Sequence, residues 1–238
     1  MSITFAISEW SGWAPTDSSY ADDTTGLRIS DAPDVSLIPP MLRRRLNLLG
    51  RSCASEIMKH SAPKENVPLV YCSQHGDITR TVGILMALAN NEPVSPMHFS
   101  LAVHNAITGV MSIQNENRAN ISAIAAGQEG LLPTILEAVG ILSIEHPKVL
   151  CVICDVPLPD IYQEHEGKPE TAFAVSFLLT RDQGTLIELK TAPTTPTAPL
   201  SPVGSASILP LDFINFLSSG TKIFLFPHNG CNWSIRKV

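Results

Sequence analysis

The chain has 238 residues, 44% of them hydrophobic, which is enough to bury a substantial core in one domain. Its formal net charge of −6 and pI near 5.6 argue against a nucleic-acid-binding surface, because such a surface needs clustered positive charge. No stretch reaches the roughly 18 apolar residues that cross a membrane, and the N-terminal segment lacks the basic residues of a secretion signal, so we expect a cytoplasmic protein.

The N-terminal part of the sequence predicts a strand, a loop and one helix. Weak hydrophobic alternation at 3–7 indicates the strand, the aromatic segment EWSGWAP indicates a turn, and the polar stretch 16–34 indicates a loop. Pro39 and Pro40 then introduce the helix, because proline suits a first helical turn. Apolar residues recur in it at the helical period, at Leu42, Leu46, Leu49, Cys53 and Ile57.

The middle of the chain alternates strands with helices. Asp77 follows one predicted strand and is suited to cap the next helix, because its carboxylate accepts from free backbone N–H groups. In chain order we predict a strand at 67–73, a helix from 78, a helix around 100–113, a strand at 120–125, a tight turn at 127–130, a helix at 131–142 and a strand at 149–155. This alternation indicates a layered α/β sheet with parallel character.

The C-terminal part adds antiparallel character to the sheet. Residues 172–180 and 185–190 predict an antiparallel hairpin, and 191–207, rich in Pro, Thr, Ser and Ala, predicts a linker or long surface loop. A short helix at 211–217, a strand at 222–226 and a turn at Asn229-Gly230 complete the chain. We therefore predict a single domain over 1–238 with a mixed sheet flanked by helices.

The strand, turn and helix at 120–142 have the frame of an enzyme's nucleophile turn. Gly127 and Gly130 allow a sharp turn that would hold one side chain above the sheet. The residue at the apex is Gln128, whose neutral carboxamide forms hydrogen bonds but is not an activated nucleophile. Glu129 beside it suits the first turn of a helix through the helix dipole, with acid or base work as the alternative. The frame therefore lacks a nucleophile.

Five cysteines, an odd number, suggest no disulfide framework and suit a reducing compartment. Cys151 and Cys154 have the spacing of a metal site, but in a strand residues three apart point to opposite faces, so we predict buried structural thiols and no metal. Cys72 lies close to His75 in sequence. A stand-alone acyl-transfer or condensing enzyme, using Cys154 or Cys72 with His75, remains the alternative function.

Residues 99–142 resemble the N-terminal half of a β-ketoacyl synthase, a condensing enzyme with the thiolase fold. In that family, a segment with Asn and Gly spaced like Asn105 and Gly109 leads into the strand and a turn that carries the acyl-accepting cysteine. Gln128 stands at that cysteine's position, as in the non-condensing chain length factors. More loosely, residues 3–180 resemble a short ketosynthase-like subunit of aryl polyene gene clusters, in the segments FAISEWSGWAP, PPMLRRRLNLLGR, CSQHGDITRTVGILMAL and VLCVICDVPLPDIY.

The resemblance implies half of a thiolase-like fold and a chain-length-factor-like role beside a catalytic β-ketoacyl synthase, as a heterodimer or a larger assembly. The partner would supply the cysteine and both histidines, and an acyl carrier protein would present the growing polyene chain. This chain would supply a dimer face and part of the acyl tunnel wall, without a cofactor. The resemblance places Thr108, Met111 and Ser112 near the tunnel.

Two surfaces suggest partners on physical grounds. The strand 120–125 is uncharged and contains Ile121 and Ile124, so as a free sheet edge it would promote aggregation. We therefore predict that it pairs across an interface, and an interior strand of a monomer is the alternative. We interpret the basic run 43–45 as a solvated helix face, with an acidic carrier protein as the alternative contact. A scaffold protein without a tunnel role also remains open.

Overall fold

The strands form one mixed sheet in a computed structural model that describes residues 2–20, 26–127, 130–162, 164, 171–192 and 208–238. They are β1 Ser2–Ala14, β2 Leu27–Ile29, β3 Leu69–Cys72, β4 Ile121–Ile124, β5 Lys148–Asp155, β6 Phe173–Thr180, β7 Thr185–Ala192, β8 Ile223–His228 and β9 Cys231–Lys237. Their order is β4-β3-β5-β6-β1-β7-β9-β8, with β2 beside β1. The pairs β3/β4, β3/β5 and β1/β2 are parallel and the others antiparallel, which confirms the mixed sheet.

Helices cover both faces of this sheet. They are α1 Pro40–Arg43, α2 Leu48–His60, α3 Ile78–Ala89, α4 Pro96–Ser100, α5 Ala106–Asn115, α6 Leu131–Ile141 and α7 Leu209–Ser218. One apolar core lies beneath α6 and α7, and a second lies beneath α2 and α5. Strand β5 contributes Cys151 to the first core and Cys154 to the second, so the two thiols do point to opposite faces.

The predicted turn over EWSGWAP is wrong, because β1 continues through it to Ala14. This strand pairs with β6 and β7 and also with the short β2, so its backbone groups have partners on both sides. Gly12 gives room where β2 approaches, since a Cβ atom there would lie 2.6 Å from a methyl carbon of Leu27 and would force that side chain to move. The buried Trp13 donates from its indole nitrogen to the carbonyl oxygen of Ser30 at 3.0 Å.

A buried carboxylate connects β1 to the helix layer. Glu56 of α2 is fully buried, and it accepts hydrogen bonds from the hydroxyls of Ser11 on β1 and Ser176 on β6. Lys59, one turn along the helix, contacts the same carboxylate at 2.5 Å. Because a buried charge is costly without partners, these contacts make Glu56 compatible with the core.

Two predicted helices are each divided in the structure. The helix predicted across 42–57 consists of α1 and α2, because Asn47 starts a new helix by accepting from the backbone N–H of Gly50 at 3.0 Å. Asn47 also donates to Asp77 at 2.8 Å, and Asp77 caps α3 as predicted by accepting from the N–H of Arg80. The helix predicted around 100–113 is likewise divided into α4 and α5.

The hairpin predicted at 172–190 is wrong in its pairing, although both strands exist. Strand β1 lies between β6 and β7, and each of them pairs with β1. The connection crosses β1 at Gly184, which has a φ of +105° and where a Cβ atom would lie 2.2 Å from the carbonyl oxygen of Ile7. Glycine is therefore required at this crossing.

The last hairpin confirms the predicted turn at Asn229-Gly230. Both residues have positive φ, 49° and 73°, the conformation that a two-residue hairpin turn favours. The turn joins β8 to β9, a strand that we did not predict. Of the predicted linker at 191–207, residues 193–207 lie outside the described part of the chain.

Candidate functional site

The strand and the helix of the frame predicted at 120–142 are present among the described residues. Strand β4 ends at Ile124, Gly127 has a φ of +65°, and α6 begins at Leu131. Gln128, which the sequence predicts at the apex, and Glu129 lie outside the described residues. Gly130 packs against β3, where a Cβ atom would lie 2.8 Å from the sulfur of Cys72, so this turn needs a small residue next to the sheet.

The carboxyl ends of β3 and β5 meet at Asp155. The Ser73 hydroxyl donates to one oxygen of this carboxyl group at 2.7 Å, and the backbone N–H of Gln74 donates to it at 2.9 Å. Burial nevertheless raises the pKa of Asp155 to about 7, because desolvation outweighs the opposite effect of these donors. This edge, where parallel strands end, is where α/β sheets commonly bind ligands.

The thiols near this edge are not poised for nucleophilic chemistry. Burial raises the pKa of Cys72 to about 11, although hydrogen bonds with Thr134 and the Ala126 backbone act in the opposite direction. Burial also raises the pKa values of Cys151 and Cys154 well above the ordinary value for a thiol. Because the thiolate is the reactive form, all three groups are poor nucleophiles at neutral pH.

Sequence reasoning missed Asp155 and His104 as members of this region. His104, between α4 and α5, places Nε2 3.0 Å from the carbonyl oxygen of Ile124, and its ring lies 5.4 Å from that of Tyr71. Asp155 could have been found, since it is the last residue of a predicted strand in a parallel sheet. His104 had no such signal, because its contact depends on how the chain folds back onto β4.

Four of the predicted interface and tunnel residues line one cleft between α5, α2, β3 and β4. They are Thr108, Met111, Ser112 and Ile121, and the cleft has a volume of about 270 Å³ including space open to solvent. Thr108 and Met111 are buried in the chain's own core, whereas Ser112 is half-buried. Part of that volume is open solvent, so in this chain alone the cleft is shallow and encloses little more than the space of one water molecule.

Strand β4 lies at the edge of the described sheet, so the alternative of an interior strand is wrong. The N–H of Leu69 donates to Asn120 and that of Ser73 donates to Ile124, so the even-numbered residues face β3. The backbone groups of Ile121 and Ala123 therefore point away from the sheet. Among the described residues, no second strand pairs with β4.

Among the residues that the structure describes, no group of three or more His, Cys, Asp or Glu side chains is arranged to hold a metal ion. No described helix combines the length and apolar character needed to cross a membrane. The basic run 43–45 lies at the end of α1 and just after it.

Comparisons with known proteins point to one family. A model of the β-ketoacyl synthase N-terminal domain matches residues 10–234. The chain is similar to a structure of a ketosynthase (ApeO) in complex with its chain length factor (ApeC) from Xenorhabdus doucetiae, with a TM-score of 0.73 and 25% identity over 99% of this chain and 100% of that chain.

Two other structures share the fold at lower identity. The ishigamide ketosynthase/chain length factor has a TM-score of 0.60 and 13% identity, over 80% of this chain and 67% of that chain. A β-ketoacyl synthase from Burkholderia phymatum STM815 has a TM-score of 0.52 and 11% identity, over 76% of this chain and 56% of that chain. No curated protein matched the sequence.

Proposed function

Because the chain belongs to the β-ketoacyl synthase N-terminal domain family and has a thiolase-like ketosynthase fold, we propose that it is a non-catalytic, chain-length-factor-like partner of a catalytic β-ketoacyl synthase. The pair extends an aryl polyene or related polyketide chain carried on an acyl carrier protein. The partner supplies the reactive cysteine and histidines. This chain contributes a dimer face and part of the tunnel wall, acting as one domain in the cytoplasm without a cofactor.

The observation that carries the proposal is the identity of residue 128. The strand–turn–helix frame would present a nucleophile at this position, and the sequence has glutamine there. A carboxamide cannot hold an acyl chain as a thioester, which a decarboxylative condensation requires. The buried thiols of Cys72 and Cys154 do not replace it, because their raised pKa values keep them protonated.

The similarity to the Xenorhabdus complex supports a ketosynthase as the partner. The match covers almost all of this chain and all of the matched chain, and that structure contains a ketosynthase together with its chain length factor. A related arrangement here would place the free edge of β4, with Ile121 and Ile124, against the partner. Pairing there would satisfy the backbone groups that point away from the sheet.

The cleft beside α5 supports the tunnel role. Its residues Thr108, Met111, Ser112 and Ile121 lie next to the β4 edge, so a partner docked on that edge would enclose the cleft. Ser112 is the half-buried member on α5 and therefore the position where added bulk can enter the enclosed space with least damage to this chain's core. We therefore assign Ser112 to the tunnel wall.

The test reconstitutes the pair and measures the length of its product. The chain is co-expressed with each ketosynthase of the same genome, and the purified complex receives malonyl-loaded acyl carrier protein. We expect Ser112→Phe to shorten the main product while the complex stays intact. Gln114→Phe adds the same bulk at an exposed position of α5 and should leave the product unchanged.

Two results would contradict the proposal in different ways. An unchanged product with Ser112→Phe would exclude the tunnel role and favour a scaffold. Failure to co-purify with any ketosynthase, together with labelling of one cysteine of the isolated chain by an acyl thioester, would favour the stand-alone enzyme that uses Cys72 or Cys154.

A further inference from the structure

The segment 78–103, which we call the helical arm, projects from the body of the protein. It contains α3, α4 and the turns around them, all within the described residues, and Leu101 is its one buried residue. Helix α3 has no buried residue, although its sequence ITRTVGILMALA is mostly apolar. Six large apolar side chains of the arm are 46–63% exposed: Leu85, Met86, Leu88, Met97, Phe99 and Val103.

The composition of the arm is unusual for a surface that faces water. Residues 81–103 contain one acidic residue, Glu92, and no lysine or arginine. Arg80, at the start of α3, is already paired with Asp77 at 2.9 Å. A solvated helix normally has a charged outer face, whereas the core of a protein interface has few charges and many aromatic and methionine residues. The arm therefore has the composition of an interface.

The arm is continuous with the free edge of β4. Its C-terminal end leads into His104, which contacts the carbonyl oxygen of Ile124. Its N-terminal end begins just after Gly76, which has a φ of +59° and where a Cβ atom would lie 2.7 Å from Nδ1 of the same histidine. Both ends of the arm therefore meet beside β4, so the apolar arm and the strand edge belong to one region of the surface.

We infer that the helical arm is a docking element that packs its exposed apolar side chains onto the ketosynthase subunit. The inference rests on the proposed function and extends it, because it assigns most of the interface to a segment outside the edge strand. Strand β4 has four residues and cannot provide the interface of about 2,000 Å² or more that is typical of obligate complexes. The arm supplies the missing apolar area.

The chemistry of the arm also defines the surface that it fits. Its partner must offer an apolar, uncharged groove, because burying the arm against charged groups would leave those charges without water or a counter-charge. In the proposed assembly the ketosynthase lies against β4. Because the arm belongs to the same region of the surface, the ketosynthase can contact the arm as well. A contact of this kind depends on apolar area, so its affinity should change little between low and high salt, in contrast to a contact made by the basic run 43–45.

The test compares charged substitutions on the arm with one at the far edge of the sheet. Leu85→Asp, Leu88→Asp and Phe99→Asp each place a carboxylate on the arm, and Ile223→Asp places one on β8, at the opposite sheet edge, where Ile223 is 51% exposed. We expect each arm variant to bind the co-purifying ketosynthase at least tenfold more weakly, and Ile223→Asp to bind like the wild type. All four should melt like the wild-type chain, because the replaced side chains are exposed.

The outcomes separate this inference from the proposed function. If the arm variants bind the ketosynthase like the wild type while substitutions on β4 abolish binding, the arm inference is wrong and the proposed partner stands. If the wild-type chain binds no ketosynthase, the proposed function fails. A dimer of this chain alone that Leu85→Asp dissociates in size-exclusion chromatography would assign the arm to a second copy and also overturn the inference.

Discussion

At the scale of single residues, Asp155 shows how burial and hydrogen bonding compete on one carboxyl group. Its donors favour the ionised form, yet its buried position at the end of β5 removes water and raises its pKa to about 7. Asp34 is the opposite case, since hydrogen bonds at the surface with Ser36 lower its pKa to about 2. The two carboxyl groups therefore respond to different ranges of pH.

We predict that Asp155→Asn removes a pH dependence of stability between pH 4 and 7. The folded protein holds a proton on Asp155 that the unfolded chain releases above its ordinary pKa of 3.8. The free energy of unfolding should therefore fall as pH rises through this window, by an amount on the order of 4 kcal/mol at most. Asparagine keeps an oxygen acceptor for Ser73 without the charge, so the variant should be the more stable protein at pH 8.

Urea unfolding of the wild type and the variant at each pH from 4 to 8 measures this effect. Asp34→Asn is the control: its lowered pKa contributes stability that is present above pH 4 and lost only as pH falls towards 2. The change in the free energy of unfolding between pH 4 and 8 should therefore be the same in this control as in the wild type. Parallel profiles for Asp155→Asn and the wild type would show that Asp155 stays ionised when buried.

Residue 128 carries a second prediction: Gln128→Cys should not give the isolated chain condensing activity. A thiol at the turn still needs the histidines that the family resemblance assigns to the catalytic partner, where they stabilise the enolate and the thioester oxyanion. Mass spectrometry of the variant with an acyl thioester and malonyl-loaded carrier protein measures the product, and the catalytic ketosynthase serves as the positive control. Polyketide formation by the isolated variant would contradict the non-catalytic role.

At the scale of secondary-structure elements, β4 has one bonded edge and one free edge, and the two can be tested separately. We predict that Ala123→Pro weakens binding to the ketosynthase at least tenfold but changes the melting temperature little, because the N–H that it removes points away from β3. Ser122→Pro removes an N–H on the β3 side and should lower stability by about 1–3 kcal/mol.

Co-purification and thermal melting of both variants distinguish the two edges. If Ala123→Pro binds the ketosynthase like the wild type, the free edge of β4 is not part of the interface. Equal losses of stability in the two variants would show instead that the proline disturbs the whole strand, and the binding result would then not report on the edge alone.

The same elements show how far the sequence determines the fold. Hydrophobic patterning located α6, α7, β5 and β6 closely, the helices by their apolar positions and the strands by short apolar runs. It could not reveal the break between α1 and α2, since the apolar positions continue across it and only the capping role of Asn47 marks the new start. The pairing of β1 between β6 and β7 was also hidden, because it depends on contacts between distant segments.

The candidate site was predictable to a similar extent. The strand–turn–helix frame could be located because two glycines and a following helix mark it in the sequence. The cleft that brings Ser112 and Ile121 together could be placed only through the family resemblance. The helical arm was hidden, because an apolar helix pattern does not tell whether the helix is covered by its own chain.

At the scale of the whole molecule, the free β4 edge and the apolar arm predict that this chain is poorly soluble alone. Both would meet water in a monomer, and such edges and patches promote aggregation. We expect a soluble hetero-oligomer when the ketosynthase is co-expressed, measured by fractionation and size-exclusion chromatography. The Leu85→Asp variant should be more soluble than the wild type when expressed alone. Co-expression of the ketosynthase should not raise its solubility further, because this variant binds the ketosynthase weakly. A stable wild-type monomer at high concentration would contradict this prediction.

The central place of β1 in the sheet has a consequence for how the protein is made. Ser11 of β1 neighbours Ser176 of β6, 165 residues further along the chain. At about 5–20 residues per second, the ribosome needs about 10 to 30 s to deliver this neighbour. During that interval the nascent chain contains the apolar strand β1 without β6 and β7, its main partners in the sheet. The sheet can therefore form only late in translation. A nascent chain released before residue 173 would lack β6 and β7 altogether, and it should be a substrate for chaperones or proteases rather than for the ketosynthase.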